Sequence, residues 1–259
     1  MKIFAPIAVA FGMFSRIPMP VVDWNEKNMR YAMAAVPLVG VVQGVISLAW
    51  GLFSLCLSLP ASLSALGFTL LPLAVNGGIH LDGLCDTVDA LASHASREKK
   101  LEILADPHTG AFGVMALVCY LLAMFVLFLN FDFGSDKYFL RNLLTLGILY
   151  ILSRSVSSYS VVAWPAAKPD GIVSGFHTRS ASGKASLLLM IQILLCGVGL
   201  VHLQKRVGVG MLAVASMTLL YYRNMAMKSF GGVSGDLAGW FLQMLELGML
   251  TVLVVGGLI

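Results

Sequence analysis

Three aspartates and a histidine interrupt an otherwise apolar part of the chain, where residues 77–89 read GGIHLDGLCDTVD. Asp82, Asp86 and Asp89 are spaced i, i+4, i+7, which places them within an arc of about 60° on an α-helix. Like charges this close repel one another and destabilise a helix, so the pattern favours a bound cation. Mg²⁺ is the obvious candidate because it prefers carboxylate oxygens. His80 is a candidate general base, phosphate donor or capping residue.

The composition indicates that this acidic segment belongs to a membrane protein. Hydrophobic residues make up 58% of the 259 residues and charged residues only 12%, against about 25% charged in a soluble domain. Several nearly uncharged stretches are long enough to cross a bilayer. We therefore predict an all-α, polytopic helical bundle forming a single membrane domain over residues 1–259. Its seven spanning helices are predicted at residues 33–57, 61–79, 111–131, 142–164, 185–203, 207–222 and 238–258.

The distribution of lysine and arginine predicts which way the chain lies in the bilayer. Of the 17 such residues, twelve fall on one predicted face, four on the other, and Arg154 lies inside a predicted helix. Because cytoplasmic loops are rich in lysine and arginine, the N-terminus and the acidic segment are predicted to be cytoplasmic. The net charge of +4 reflects these loops, so the expected partner surface is the lipid bilayer and no nucleic acid is expected.

Two glycine-rich segments fall on the same predicted face as the acidic segment. Residues 106–113 read DPHTGAFG, a helix entry whose backbone N–H groups could bind an anion. Residues 231–239 read GGVSGDLAG, where Asp236 is predicted at the N-cap or first turn of the last helix. Beside the acidic cluster, Asp236 becomes a plausible fourth metal carboxylate.

Arg154 and Glu246 are charged residues inside predicted membrane helices. Such residues face the bundle interior and usually pair with another group, and the natural partner of Arg154 is a diphosphate or an aspartate. Together with the carboxylates and glycine-rich turns, Arg154 suggests a membrane-surface site for a metal–diphosphate substrate, in which Mg²⁺ bridges carboxylates and phosphate oxygens.

Four segments resemble the cobalamin synthase family, the adenosylcobinamide-GDP ribazoletransferases. The main motif at 77–89 is similar to the family's GGxHLDGLxDTxD and is highly specific. The other matching segments are FSRIPMP at 14–20, VPLVG at 36–40 and GGVSGDLAG at 231–239. One departure is His108, which follows Asp106 and Pro107 where the family usually has arginine; another is Asn76, which replaces a small or hydroxyl residue.

The resemblance implies a bacterial cytoplasmic (inner) membrane enzyme with Mg²⁺ as its cofactor. It would join adenosylcobinamide-GDP to α-ribazole or α-ribazole 5′-phosphate and release GMP. Asp82, Asp86, Asp89 and Asp236 would hold the metal, and His80 or one aspartate would deprotonate the attacking hydroxyl. The expected substrate contacts are Arg16, Asp106, His108, Arg154, Arg179, Gly232 and Gly235. The oligomeric state cannot be read from the sequence.

Two other functions compete with this interpretation. A CDP-alcohol transferase also carries an acidic helix containing Asp-Gly, but its motif continues with Ala-Arg, which does not follow Asp82-Gly83. An ion-coupled transporter would place ionisable residues near the bilayer midplane, where this sequence offers only Arg154 and Glu246.

Overall fold

The computed structural model describes residues 4–23, 25–131, 136–168, 176 and 182–258, and their regular structure is helical. The first six helices are α1 Phe4–Phe14, α2 Glu26–Met29, α3 Ala32–Ala35, α4 Pro37–Cys56, α5 Ala61–Asn76 and α6 Ile79–Ala92. The last six are α7 Arg97–Ile103, α8 Ala111–Leu129, α9 Asp136–Ala163, α10 Ser182–Leu203, α11 Lys205–Met225 and α12 Gly235–Leu258. A π-helical turn, Ala226–Phe230, continues α11.

Five helical segments of the described chain are long and apolar enough to cross a membrane: Ala32–Cys56, Ala111–Leu129, Tyr138–Ala163, Gly183–Leu203 and Gly235–Gly256. Helices α5 and α6 pass the same test only as a pair, and they are bent by 93° at the break between them. The described residues thus form a multi-pass helical membrane protein with five spans, or six if the bent pair is one.

The seven predicted helices all fall on helices of the structure, and the differences lie at their ends. The fourth begins at Asp136 rather than at residue 142. The second ends at Asn76, and α6 follows it, mostly between the second and third predicted spans. The sixth corresponds to α11, which has 21 residues but carries Lys205, Arg206 and Arg223 near its ends and falls outside the five spans.

Helices α9 and α12 lie at the centre of the bundle, and α8 and α10 lie at its periphery. In the spanning windows, 72% of the α9 residues and 67% of the α12 residues are buried, against 22% in α8 and 17% in α10. Glycines allow α4 to approach α9 closely, since a Cβ on Gly44 would lie 2.9 Å from the Cα of Gly147. Close backbone approach at small residues is a common way for membrane helices to associate.

A buried polar network joins the central helices. Arg154 Nη1 on α9 donates to Glu246 Oε1 on α12 at 2.7 Å, and Arg154 Nη2 donates to Gln43 Oε1 on α4 at 2.6 Å. Asn76 Nδ2 at the end of α5 donates to the same Gln43 oxygen at 3.2 Å. Arg154 therefore pairs inside the bundle, as predicted, and its charged partner is a glutamate.

Candidate active site

Two consecutive glycines turn the chain into the helix that carries the acidic motif. Gly77 ends α5 with φ 66° and Gly78 begins α6 with φ 81°, both in the left-handed region that favours glycine. Arg16 lies over this turn: its backbone N–H donates to Val75 O at 2.8 Å, and its side chain occupies the space that a Cβ on Gly77 would need. The Gly-Gly pair therefore produces the bend that directs α6 away from α5.

Asp82, Asp86 and Asp89 lie on one helix, α6, as their spacing predicts. Asp82 is exposed, whereas Asp86 and Asp89 are partly buried. The negative charges of Asp82, Asp236 and Asp89 all act on the Asp86 carboxylate, and that of Asp82 also acts on Asp236. Asp236 lies in the first turn of α12, as predicted. Four carboxylates from two helices therefore share one region.

Two glycines bring α12 against α6. A Cβ on Gly83 would lie 2.6 Å from the backbone oxygen of Asp236, and one on Gly239 would lie 3.3 Å from the Cα of His80. Asp236 reaches the acidic helix because glycine at these two positions lets the two backbones nearly touch.

We expect Gly83→Ala to destabilise the fold, because its methyl group must push α12 away from α6. Overpacking of this kind costs about 1–3 kcal/mol, and it would also move Asp236 away from Asp82. The measurement is thermal unfolding in detergent together with turnover. Gly12→Ala is the matched control, since nothing lies within 4 Å of its added Cβ and alanine favours a helix. Equal melting temperatures for the two variants would show that the α6–α12 crossing tolerates a side chain.

Asp89 caps the N-terminus of α8. Its Oδ2 accepts the Gly110 N–H at 2.7 Å, and its Oδ1 accepts the Gly113 N–H at 2.9 Å. A carboxylate also interacts favourably with the positive end of the helix dipole. The glycine-rich helix entry therefore binds an anion, as predicted for this segment type, but that anion is a side chain of the same protein.

Because Asp89 holds α8, its removal should reduce stability even without ligand. We expect Asp89→Ala to lower the free energy of unfolding by about 1–2 kcal/mol, the usual range for a lost cap. Asp89→Asn should lose less, since its amide keeps one acceptor oxygen. Melting curves in detergent measure both losses. An Asp89→Ala variant as stable as wild type but unable to bind metal would instead favour a ligand role.

A cavity of about 380 Å³ lies beside the carboxylates. Exposed residues, among them Asp82, Ala105, Lys168 and Gly235, surround its mouth. Buried, mainly apolar residues form its deeper part, including Val36, Val161, Phe176, Leu242 and Ser158. A small ligand bound there would have its polar end among charges and its apolar end in the bundle.

His80 lies in the cavity wall, 7% exposed, with its ring stacked on Phe14 at 6.2 Å between centroids. No partner among the described residues forms a hydrogen bond with its Nε2. A buried polar nitrogen without a partner is costly, so a group that bonds to it on binding would be stabilised. This is the position that a proton acceptor for a bound hydroxyl would need.

Arg154 also borders the cavity, but its side chain is 0% exposed and its guanidinium binds Glu246 and Gln43. Its Nε has no hydrogen-bond partner among the described residues. The structure therefore gives Arg154 a role in the core, and the substrate contact predicted from the sequence stays a prediction.

Of the remaining predicted substrate residues that the structure describes, Asp106, His108 and Gly232 do not line the cavity and Gly235 does. Asp106 and His108 are exposed, and the His108 backbone N–H together with its side chain lowers the pKa of Asp106, which keeps that carboxylate ionised. Gly232 is buried against Pro165, and Gly235 lines the cavity. Arg179 lies outside the described residues.

Three cavity or network residues were not identified from the sequence. Lys168 brings a positive charge to the mouth and donates to Leu101 O at 3.0 Å. Phe14 lies within the matching segment 14–20 but was not assigned a contact. Gln43 was detectable, since a polar residue inside the predicted span 33–57 is expected to have a partner.

Within the described residues, no group of three or more His, Cys, Asp or Glu side chains is arranged closely enough to hold a metal ion. The donor chemistry nevertheless fits Mg²⁺. This ion keeps several waters and is usually held by one or two carboxylates together with substrate phosphates, so it does not need a preformed protein cage.

Comparison with known proteins adds to this geometry. The family model described as cobalamin-5-phosphate synthase matches residues 6–254. The chain belongs to the cobalamin-5-phosphate synthase family. It is therefore a transferase of cobalamin synthesis, and membership of the family decides against the CDP-alcohol and transporter alternatives.

Relatives in the family share one name, adenosylcobinamide-GDP ribazoletransferase. The protein of Lachnoclostridium phytofermentans is 35% identical over 95% of this chain and 92% of its own length. That of Desulfitobacterium hafniense is 31% identical over 92% of both chains, and one from Clostridium botulinum is 28% identical over 95% of both. No solved structure matches the chain.

Proposed function

We propose that this protein joins adenosylcobinamide-GDP to α-ribazole or its 5′-phosphate and releases GMP. A ribose hydroxyl of the ribazole attacks the phosphorus that is linked to cobinamide. A new P–O bond forms there, the bridging P–O bond of the diphosphate breaks, and GMP leaves with that oxygen. The observation that carries the proposal is the cluster of Asp82, Asp86 and Asp236 at the mouth of a cavity in a member of this family.

Mg²⁺ is the cofactor that this cluster would hold, through one or two of Asp82, Asp86 and Asp236 together with phosphate oxygens of the substrate. Asp89, the fourth predicted ligand, already accepts hydrogen bonds from two backbone N–H groups. We therefore assign it the role of capping α8 and not that of a metal ligand. When bound, the metal would neutralise negative charge that develops on the leaving phosphate.

The residues of the chain have separate tasks in this proposal. His80 accepts the proton of the attacking hydroxyl at its Nε2, a role supported by its position in the cavity wall. Asp82 is the second candidate for this proton. Lys168 contributes positive charge at the mouth, where the diphosphate would lie. Such a site acts mainly by positioning its reactants and balancing charge.

The proposed site faces the cytoplasm. The mouth of the cavity includes parts of α6, the segment after α7, Lys168 and the start of α12, all of which the lysine and arginine count assigned to the cytoplasmic side. The proposed corrinoid substrate is charged and large, so access from the cytoplasm is also the simplest route.

The test is GMP release by the purified protein in proteoliposomes. We expect GMP only when adenosylcobinamide-GDP, a ribazole substrate and Mg²⁺ are all present, and little after chelation with EDTA. Omitting one component at a time provides the controls. GMP release that does not depend on the ribazole would indicate a hydrolase, and full activity in EDTA would contradict the metal role.

A further inference from the structure

The two proposed substrates differ greatly in size, and the cavity can accommodate only one of them. We propose that the cavity is the binding site for the ribazole, a nucleoside with a two-ring benzimidazole base. The corrinoid part of the other substrate stays outside, at the mouth. This inference rests on the proposed function and adds which substrate occupies the interior of the protein.

The volume of the cavity is the first argument. At about 380 Å³, it lies near the lower end of the usual range for small-molecule sites, about 300–1,000 Å³. A nucleoside with a two-ring base is of this size. A corrin macrocycle with an adenosyl group and a GDP chain is several times larger, so only its diphosphate end could approach the carboxylates.

The lining of the cavity is the second argument. Apolar side chains from α1, α9, α12 and the junction of α3 and α4 line the cavity, among them Met13, Val36, Val161 and Leu242. Phe14 and His80, whose rings stack on each other with an interplanar angle of 17°, add aromatic side chains to the lining. A planar, mostly apolar base fits such walls, because aromatic rings stack on bases with little dependence on the base's identity.

The polarity gradient of the cavity is the third argument. Its buried lining is mostly apolar, with His80, Arg154, Ser157 and Ser158 as the polar residues. Asp82, Lys168 and Asp236, in contrast, lie toward the mouth. A ribazole with its base inside would therefore place its ribose at the level of His80 and the carboxylates. The attacking hydroxyl would face the mouth, where the phosphorus of the second substrate arrives from outside.

Kinetics of two cavity variants test the inference. Phe14→Ala removes the stacking surface, and Val161→Phe reduces the space for the base. Each should raise the KM for α-ribazole about tenfold or more, the loss expected for one base–aromatic contact, while the KM for adenosylcobinamide-GDP stays within about twofold. The matched controls are Phe112→Ala and Leu144→Phe, whose side chains are 54% and 41% exposed on the outside of the bundle, and both should behave as wild type.

Direct binding separates the inference from the proposed function and from folding defects. Isothermal titration of α-ribazole into the detergent-solubilised protein, without the second substrate, should show saturable binding that Phe14→Ala weakens. Melting curves of the variants show whether they fold.

Three outcomes would overturn the inference. The first is a rise in the KM of the corrinoid substrate instead of that of the ribazole. The second is that both KM values are unchanged in variants that fold. The third is that wild-type protein binds no ribazole because lipid extracted with it prevents the binding. Wild-type protein that releases no GMP with any combination of substrates would instead contradict the proposed function itself.

Discussion

Replacing Asp82 with alanine should reduce GMP release by about 10²–10³-fold or more, the cost of losing one group that stabilises the charge of a transition state. Asp82 is exposed at the mouth of the cavity and its charge acts on both Asp86 and Asp236. Its removal would take away one of the proposed Mg²⁺ ligands, and the measurement is steady-state GMP release over a range of Mg²⁺ concentrations. Because the side chain is exposed, the melting temperature should change little.

Metal binding provides a second readout for the same variant. Mn²⁺ is a suitable paramagnetic probe, and we expect Asp82→Ala to weaken its binding in the presence of adenosylcobinamide-GDP. Asp23→Ala is the matched control, since Asp23 is also an exposed aspartate but lies before α2, away from the cluster. Near wild-type GMP release by Asp82→Ala would rule out the assigned role.

Breaking the buried ion pair between Arg154 and Glu246 should have the largest effect on stability. Both side chains are almost fully buried, with 0% and 2% of their surfaces exposed, so removing one leaves the other charge unpaired. Such a loss typically costs about 3–5 kcal/mol. We therefore expect Arg154→Met to unfold well below the wild-type temperature in detergent.

The double variant Arg154→Met/Glu246→Met distinguishes a loss of pairing from a loss of packing. Because it removes both charges and keeps apolar volume, it should recover much of the lost stability. Arg206→Met, on an exposed arginine at the start of α11, is the control and should melt as wild type does. If the single variant is stable but inactive, Arg154 would instead bind substrate, as the sequence analysis first predicted.

The sequence predicted the acidic helix correctly because its evidence is local. The angles between Asp82, Asp86 and Asp89 follow from helical periodicity alone, and helix α6 carries all three. The membrane helices were also predictable, since a bilayer requires long apolar stretches. Their ends were less accurate because a helix can extend through a polar segment, such as residues 136–141, that lies outside the apolar stretch.

Other features depend on residues that are distant in the sequence. Spacing cannot show that Asp89 caps α8, because the hydrogen bonds cross from one helix to the next. It also could not predict the 93° bend between α5 and α6, although the positive φ angles at Gly77 and Gly78 account for it.

By itself, the sequence determined that this is a multi-pass helical membrane protein with three aspartates on one face of a helix. It also carried the motifs by which its family is recognised. Only the tertiary structure decided that Asp236 joins those aspartates, that Arg154 pairs with Glu246, and that a cavity of about 380 Å³ opens beside the cluster. The physical reason is that hydropathy and periodicity describe neighbouring residues of the chain, whereas these contacts depend on how separate helices pack. Helices α6 and α12 pack closely because Gly83 and Gly239 have no side chain between the two backbones.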